Sequence, residues 1–382
     1  MRNNSSIRRA QSCLANARDA VREFYETVKQ PNMELVIFFC SSEYDLDALA
    51  DEMKRLFTGI QVVGCTTAGE IGPAGYLDHS LTGVSFSATD FKAVAGLLTH
   101  LQQLQISKCQ HFTQELLHRL ERETDIQNSF AFLLIDGLSK REEPVARILQ
   151  SGLGKIPLIG GSAGDSLNFK STYVYFQGHF HSDSAIVTLV TTKLPFKIFK
   201  TQHFIATDTR LVVTEADTAH RKVKEINGLP AAQEYARILG IDVHSLDSMR
   251  FAASPIVVMI DGTNYVRSIQ KANPDGSLTF FCAIENGLVL RVAKGVNLLD
   301  NLEENFAQLR SEIGPPQLVL GCDCILRKIE VSPETIACIS DIFQQNNTIG
   351  FNTYGEQFRG VHVNQTLVGI AIGSNSKEMD NA

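Results

Sequence analysis

Apolar positions along this chain follow two alternating rhythms: short near-continuous runs of strand length, and stripes repeating every three to four residues. Residues 5–29 place Ile7, Leu14, Ala17, Val21, Phe24, Tyr25 and Val28 on one helical face, closed by Pro31. "ELVIFFC" (34–40) reads as a strand buried on both faces. "DLDALADEMKRLF" spaces Leu46, Leu49, Met53 and Leu56 as a helix that Asp45 can cap. "IQVVGCTTAGE" is a second strand ending in a glycine corner, and "LTGVSFSA" and "KAVAGLL" predict two more.

The same order returns twice. "FAFLLIDG", the helix "EEPVARILQSGL" with Pro144 in its first turn, and "IPLIGGSAGD" repeat it, with "TYVYFQGHFHSD", "AIVTLVTT" and "FKIFKTQHFIA" as further strands. "QLVLGCDCILRKI", a helix capped by Ser332 with Pro333 at its first position, "TIGFNTYGE" and "NQTLVGIAIG" form a third copy. Gly64 and Glu70 stand six positions apart, as do Gly350 and Glu356, and the middle copy, Gly160 to Asp165, is one shorter. A different stretch, residues 211–314, holds a meander of strands with an "NPDGS" turn and the helix "LLDNLEENFAQLRSEIG".

The pattern predicts an α+β (mixed α/β) fold, mixed sheets covered by helices, with three related β-α-β-β units in two domains. An N-terminal amphipathic helix is expected over 1–32, a first domain over 33–222, a second over 223–374 and a polar tail over 375–382, the domain boundary falling near 206–225.

The corners invite chemistry, and their context limits it. Glycine serves a sharp reversal or a close backbone approach, and Ser, Thr and the acid can bind the turn's own amides. A phosphate loop needs a helix N-terminus directly after the glycines, whereas all three corners lead into loop and strand. "GGSAG" matches the G-x-S-x-G elbow of serine hydrolases with Ser162 as nucleophile, but that elbow is a strand-to-helix turn and "DSLNFKSTYVYF" follows it here. A scaffold reading covers all three corners. The "CDC" of Cys322 and Cys324 reads as two small side chains on one face of a strand.

Composition narrows the classes further. In 382 residues, 35 basic against 42 acidic side chains leave a formal charge of -7, which lacks the basic footprint of nucleic-acid binding. No run approaches the roughly 18 apolar residues of a membrane span, and no secretory leader is expected. Eight scattered cysteines do not form a disulfide framework, so a cytoplasmic protein with reduced thiols is expected.

"LVIFFCSSEYDLDALA", "VVGCTTAGEI", "IGGSAGDSLNF", "VTEADTAHRKVKEINGLPAAQEYARILG", "QLVLGCDCILR" and "IGFNTYGEQFRGVHVNQTLVGIAIG" together resemble the FIST proteins, a bacterial sensory module with an N-terminal and a C-terminal FIST domain. The resemblance runs over about residues 33–374 and implies a non-enzymatic signal-transduction sensor of a small ligand. "FKTQHF" and "FHSDSAIV" look most like its haem-binding, nitric-oxide-sensing branch. That branch implies haem b as cofactor, nitric oxide as signal, and a histidine kinase or cyclic-dinucleotide signalling protein as partner. A homodimer is a separate expectation, since the N-terminal helix can pack on its own domain or on another subunit.

Haem needs an imidazole, an apolar slot and cations for its propionates. Strand alternation in "FKIFKTQHFIA" puts Phe199, Thr201, His203 and Ile205 on one face, with Lys200 and Arg210 near. His203 is the first candidate for iron and His181 the second. Among the ten histidines, His79, His100, His111, His118, His220 and His244 read as surface, and His362 could line a strand. Two alternatives stand beside this reading: a FIST sensor of a small metabolite such as an amino acid without haem, and a serine hydrolase using Ser162.

Overall fold

The computed structural model describes residues 6–260 and 262–374; the expected polar tail at 375–382 lies outside the described residues. Three six-stranded sheets surround one apolar centre, and each follows the same plan. A central strand pairs in parallel with the strand that follows its helix: Met33–Ser41 with Gln61–Thr67, Ser129–Ile135 with Leu158–Ser162, and Leu318–Cys324 with Thr348–Thr353. On its other side it pairs antiparallel with Leu81–Ser87, Ser184–Thr192 or Leu367–Ile372. Edge strands Ile7–Ser12, Phe91–Thr99 and Phe196–Thr201 complete the three sheets.

This triplication corrects several expectations. Residues 7–12 are a strand rather than part of a helix, which starts only at Ala17 with Asn16 as its cap. The stripe there serves an edge strand buried on both faces, Ile7 in the shared centre and Ala10 in an outer core. Strands Phe91–Thr99 and Phe196–Thr201, placed at the ends of the first and second copies by their order, instead open the second and third sheets. The third unit therefore begins before the expected boundary. It is interrupted after its first strand by an inserted eight-stranded sheet, built from Phe204–Asp217 through Val289–Gly295.

Two helices cover the outer face of each sheet: Ala17–Val28 with Leu46–Leu56, Ile106–Glu121 with Glu142–Leu153, and Leu298–Ile313 with Pro333–Gln345. Their apolar stripes make three outer cores, while the inward faces of all three sheets meet in the shared centre at Phe39, Phe132, Ile186, Phe351 and Ile370. Strands with an apolar core on each face explain the near-continuous apolar runs. The caps expected at Asp45 and Ser332 are present, accepting from the amides of Ala48 and Thr335.

The echoing corners mark an exchange between units. After the first corner, the hairpin of strands Glu70–Gly72 and Gly75–Leu77 joins the third sheet. The hairpin Val174–Phe176 with His179–His181 joins the first sheet, and Glu356–Phe358 with Val361–Val363 joins the second. Each unit thus completes its neighbour, in a closed cycle.

Backbone hydrogen bonds tie the corners together where they cross: Gly164 N to Thr66 O at 3.0 Å, Ala68 N to Asn352 O at 3.0 Å, and Ser162 N to Gly355 O at 2.8 Å. Gly64, Gly160 and Gly350 sit within strands, not at the reversal. A Cβ there would stand 2.6, 2.0 and 1.9 Å from the carbonyl oxygens of Phe38, Leu133 and Gly321 on the parallel partner.

Candidate sensory site at the seam

The inserted domain rests on the three-unit core along a seam of buried polar side chains. At one end, Nη2 of Arg221 lies 2.7 Å from both Glu142 and Glu143, at the start of a core helix. The amide of Ala283 donates to Glu143 at 2.6 Å. A pocket of about 60 Å3 opens beside Arg221, between Tyr354, Phe169 and Phe281. Phe169 stacks on Tyr354 with centroids 4.6 Å apart, so aromatic groups from the second unit, the third unit and the insert close this end.

His203 stands at the other end, in the short break between strands Phe196–Thr201 and Phe204–Asp217. It is 4% exposed. Nη1 of Arg327 lies 3.1 Å from its Nδ1. A guanidinium only donates, so Nδ1 accepts and the ring hydrogen sits on Nε2. That Nε2 lies 2.8 Å from Oε1 of Glu330. Arg327 Nε donates to Asp323 at 2.7 Å, and the hydroxyl of Tyr76, from the first unit's hairpin, donates to the same carboxylate. Gln365 donates to Oε2 of Glu330 at 3.2 Å and accepts from Ser268 of the insert at 2.9 Å. The chain Tyr76–Asp323–Arg327–His203–Glu330–Gln365–Ser268 thereby joins the first unit, the third unit and the insert.

A groove of about 460 Å3 runs past this chain, walled by Phe204, Val296, Leu298, Leu299 and Val331, with His203 and Glu330 on its floor. Its size is that of a small-molecule site. The first turn of helix Leu298–Ile313 forms one rim, and because Asn297 already accepts from the amides of Leu299 and Asp300, that rim offers its dipole rather than free donors.

The five residues named for a haem slot are not brought together. His181 is on the edge hairpin of the first sheet, Phe199 and Lys200 are on the third, and Arg210 is exposed on the inserted sheet. Phe199 packs against Phe306 in an outer core, whereas Lys200 turns the other way, its ammonium 4.4 Å from the Tyr265 ring centroid. Burial pulls the Lys200 amine down to about 8. Ile205 does not share the His203 face as expected: the strand breaks at 202–203 and Ile205 is 60% exposed. With both ring nitrogens of His203 facing side chains and His181 and Arg210 on other sheets, these residues do not fit haem. Among the described residues no group of three or more His, Cys, Asp or Glu is placed to hold a metal ion.

Ser162 is fully buried on a strand, and its Oγ accepts from Nε2 of Gln357 at 2.9 Å. The strand-to-helix elbow that would expose a nucleophile is absent at this position. Glu330, Arg327, Asp323 and Arg221 were not foreseen from sequence. The four-residue spacing of Asp323 and Arg327 was the one available signal, since it allows an ion pair across one helical turn.

A family model described as the FIST N domain matches residues 34–229, and one described as the FIST C domain matches residues 231–359. The chain belongs to the FIST family. FIST domains are sensory, so this is a sensory signal-transduction protein. A protein of Methanocaldococcus jannaschii that carries the description "uncharacterized" is 25% identical over 201 residues, which is 50% of this FIST chain and 38% of the relative. The FIST chain therefore spans well under two thirds of that relative's length. Among the described residues no helix is long and apolar enough to cross a membrane.

Proposed function

We propose that this FIST protein senses a small metabolite carrying an ammonium group, of which an amino acid is the simplest class, in the groove floored by His203 and Glu330. The observation that carries the reading is Oε1 of Glu330. It is buried without a well-directed hydrogen bond, its near neighbour being the His203 ring. Arg327 spends Nε on Asp323 and Nη1 on His203, so the hydrogen-bond neighbours of Glu330 are the neutral side chains of His203 and Gln365. A carboxylate with one oxygen lacking a directed hydrogen bond, at the floor of an open groove, attracts a cation. The helix dipole at the rim favours the ligand's carboxylate, and the apolar walls take its side chain.

His203 and Gln365 connect this floor to the insert, so an ammonium that recruits Glu330 changes what holds the insert to the core. The receiving partner in this reading is a signalling protein such as a histidine kinase. Calorimetric titration with the amino acids, alongside their amine and acid fragments, tests it. At least one amino acid binds at one site, both fragments bind more weakly, and Glu330→Gln weakens binding at least tenfold. Absence of binding by every amino acid, or unchanged affinity in Glu330→Gln, overturns the proposal.

A further inference from the structure

The hairpins 70–77 and 356–363 occupy equivalent places, and their pairing registers match residue for residue. Tyr76 therefore corresponds to His362, and Asp78, two residues on, to Asn364. In the sheets they join, Asp323 opposite Asn352 corresponds to Ile135 opposite Ser162. On the first hairpin the polar tips are satisfied: Tyr76 donates to Asp323, and Lys328 donates to Asp78 at 2.7 Å.

On the second hairpin the counterpart of Asp323 is an isoleucine, and the tips are left bare. His362 Nε2, both amide atoms of Asn364, Gln357 Oε1 and Arg267 Nε of the insert are all buried with no hydrogen-bond partner. His362 and Arg267 are 1% and 8% exposed, and Asn364 and Gln357 are fully buried. Nε2 of Gln357 lies 3.1 Å from Nδ1 of His362, and as an amide nitrogen it donates. The ring hydrogen is therefore on Nε2. His362 Nε2 and Asn364 Nδ2 crowd the same bare glycine, 2.7 and 2.9 Å from where a Cβ on Gly355 would stand. Nη1 of Arg267 lies 3.1 Å from the His362 carbonyl, which holds the guanidinium beside them. Two unmet donors, His362 Nε2 and Asn364 Nδ2, thus face the same bare glycine, and the cationic Arg267, whose Nε is also unmet, is held to the backbone of the same hairpin.

We propose that this cluster is a binding site for a small oxyanion, a carboxylate or an inorganic oxyanion of similar size, which accepts from His362 Nε2, Asn364 Nδ2 and Arg267 Nε. Glu142 and Glu143 share the single guanidinium of Arg221 nearby and work against an added anion, and the charge of Arg267 offsets them. The site is separate from the His203 groove and does not depend on that reading.

Thermal unfolding and calorimetry of the full chain with formate, acetate, nitrate and phosphate at constant ionic strength test it. One of these anions saturates a single site and raises the melting temperature, and the preferred one distinguishes an organic acid from an inorganic source. Asn364→Asp places a carboxylate where Asp78 stands in the sister hairpin. It makes the melting temperature indifferent to the anion and weakens binding at least tenfold. Should Asn364→Asp not fold, Arg267→Gln gives the same loss of anion response. A wild-type melting temperature unmoved by all four anions, an equal response in the Asn364 and Arg267 variants, or a nitrate-soaked crystal with only water between His362 and Arg267 would overturn the proposal.

Discussion

The rings of Phe39 and Phe351 stack with centroids 4.5 Å apart and planes 21° from parallel, although one belongs to the first unit and the other to the third. Phe132 of the second unit meets Phe39 edge-on at 6.5 Å. All three units therefore share one centre, and none can lose it alone. Phe351→Ala is expected to cost about 3–5 kcal/mol. Urea unfolding followed by circular dichroism should still show one transition, moved to lower urea; an early separate transition would show that the units unfold independently.

Crowding against the parallel partner strand distinguishes otherwise similar glycines. Gly160→Ala and Gly350→Ala drive a methyl into the carbonyls of Leu133 and Gly321, for an expected loss of about 3 kcal/mol or more. Gly321, in the same sheet, has nothing nearer its Cβ position than 3.4 Å, so Gly321→Ala should change stability by less than about 1 kcal/mol. Denaturation midpoints of the three variants check this.

Stability should depend on pH through the corner acids. Oε2 of Glu70 accepts from the amide and hydroxyl of Ser80, and Oε2 of Glu356 accepts from those of Thr366. Burial nonetheless pushes Glu70 up to about 7 and Glu356 up to about 8. Between the ordinary carboxylate range and those values, the unfolded chain has released protons that the folded chain keeps. Each acid's contribution therefore falls as pH rises, by about 1.4 kcal/mol per pH unit. His362 acts oppositely. Burial lowers it to about 4, so below its ordinary 6.5 the unfolded chain gains a proton that the folded chain refuses. The double variant Glu70→Gln, Glu356→Gln should lose most of the decline between pH 6.5 and 8 and uncover a fall below pH 6.5 that the two acids outweigh in the parent chain, as urea titrations at each pH would show.

Arg221 holds the insert to the core through two carboxylates, one of them almost fully buried. Arg221→Met strands both, for an expected loss of about 3–5 kcal/mol. Adding Glu142→Gln and Glu143→Gln should recover most of that loss, because the uncompensated charge goes with them. Hydrogen exchange at residues 279–284 should rise in the single variant and fall back in the triple one.

Much of this molecule follows from local rules. Strand-length apolar runs, helical stripes, the caps at Asp45 and Ser332, and the three echoing corners are legible because each depends on side chains within a few residues. The family was legible for the same reason, through six short motifs in order. Chain order misled where pairing is distant. Residues 7–12 look helical by spacing but complete a sheet against Leu81–Ser87, and strand Phe196–Thr201 finds its partner at Leu367–Ile372. Periodicity carries no information about such partners. The alternation expected around His203 failed likewise: it placed His203 and Ile205 on one face, and a break at residues 202–203 separated them. What the sequence by itself determined was the repeated unit and the glycine at each crowded strand. Only the tertiary structure decided that each unit lends its hairpin to a neighbour, and that Glu330, Asn364 and Arg267 end in low-dielectric surroundings without full partners. The energy of a polar group is set by what surrounds it in space, and for these residues the surroundings are supplied by segments far away in the chain.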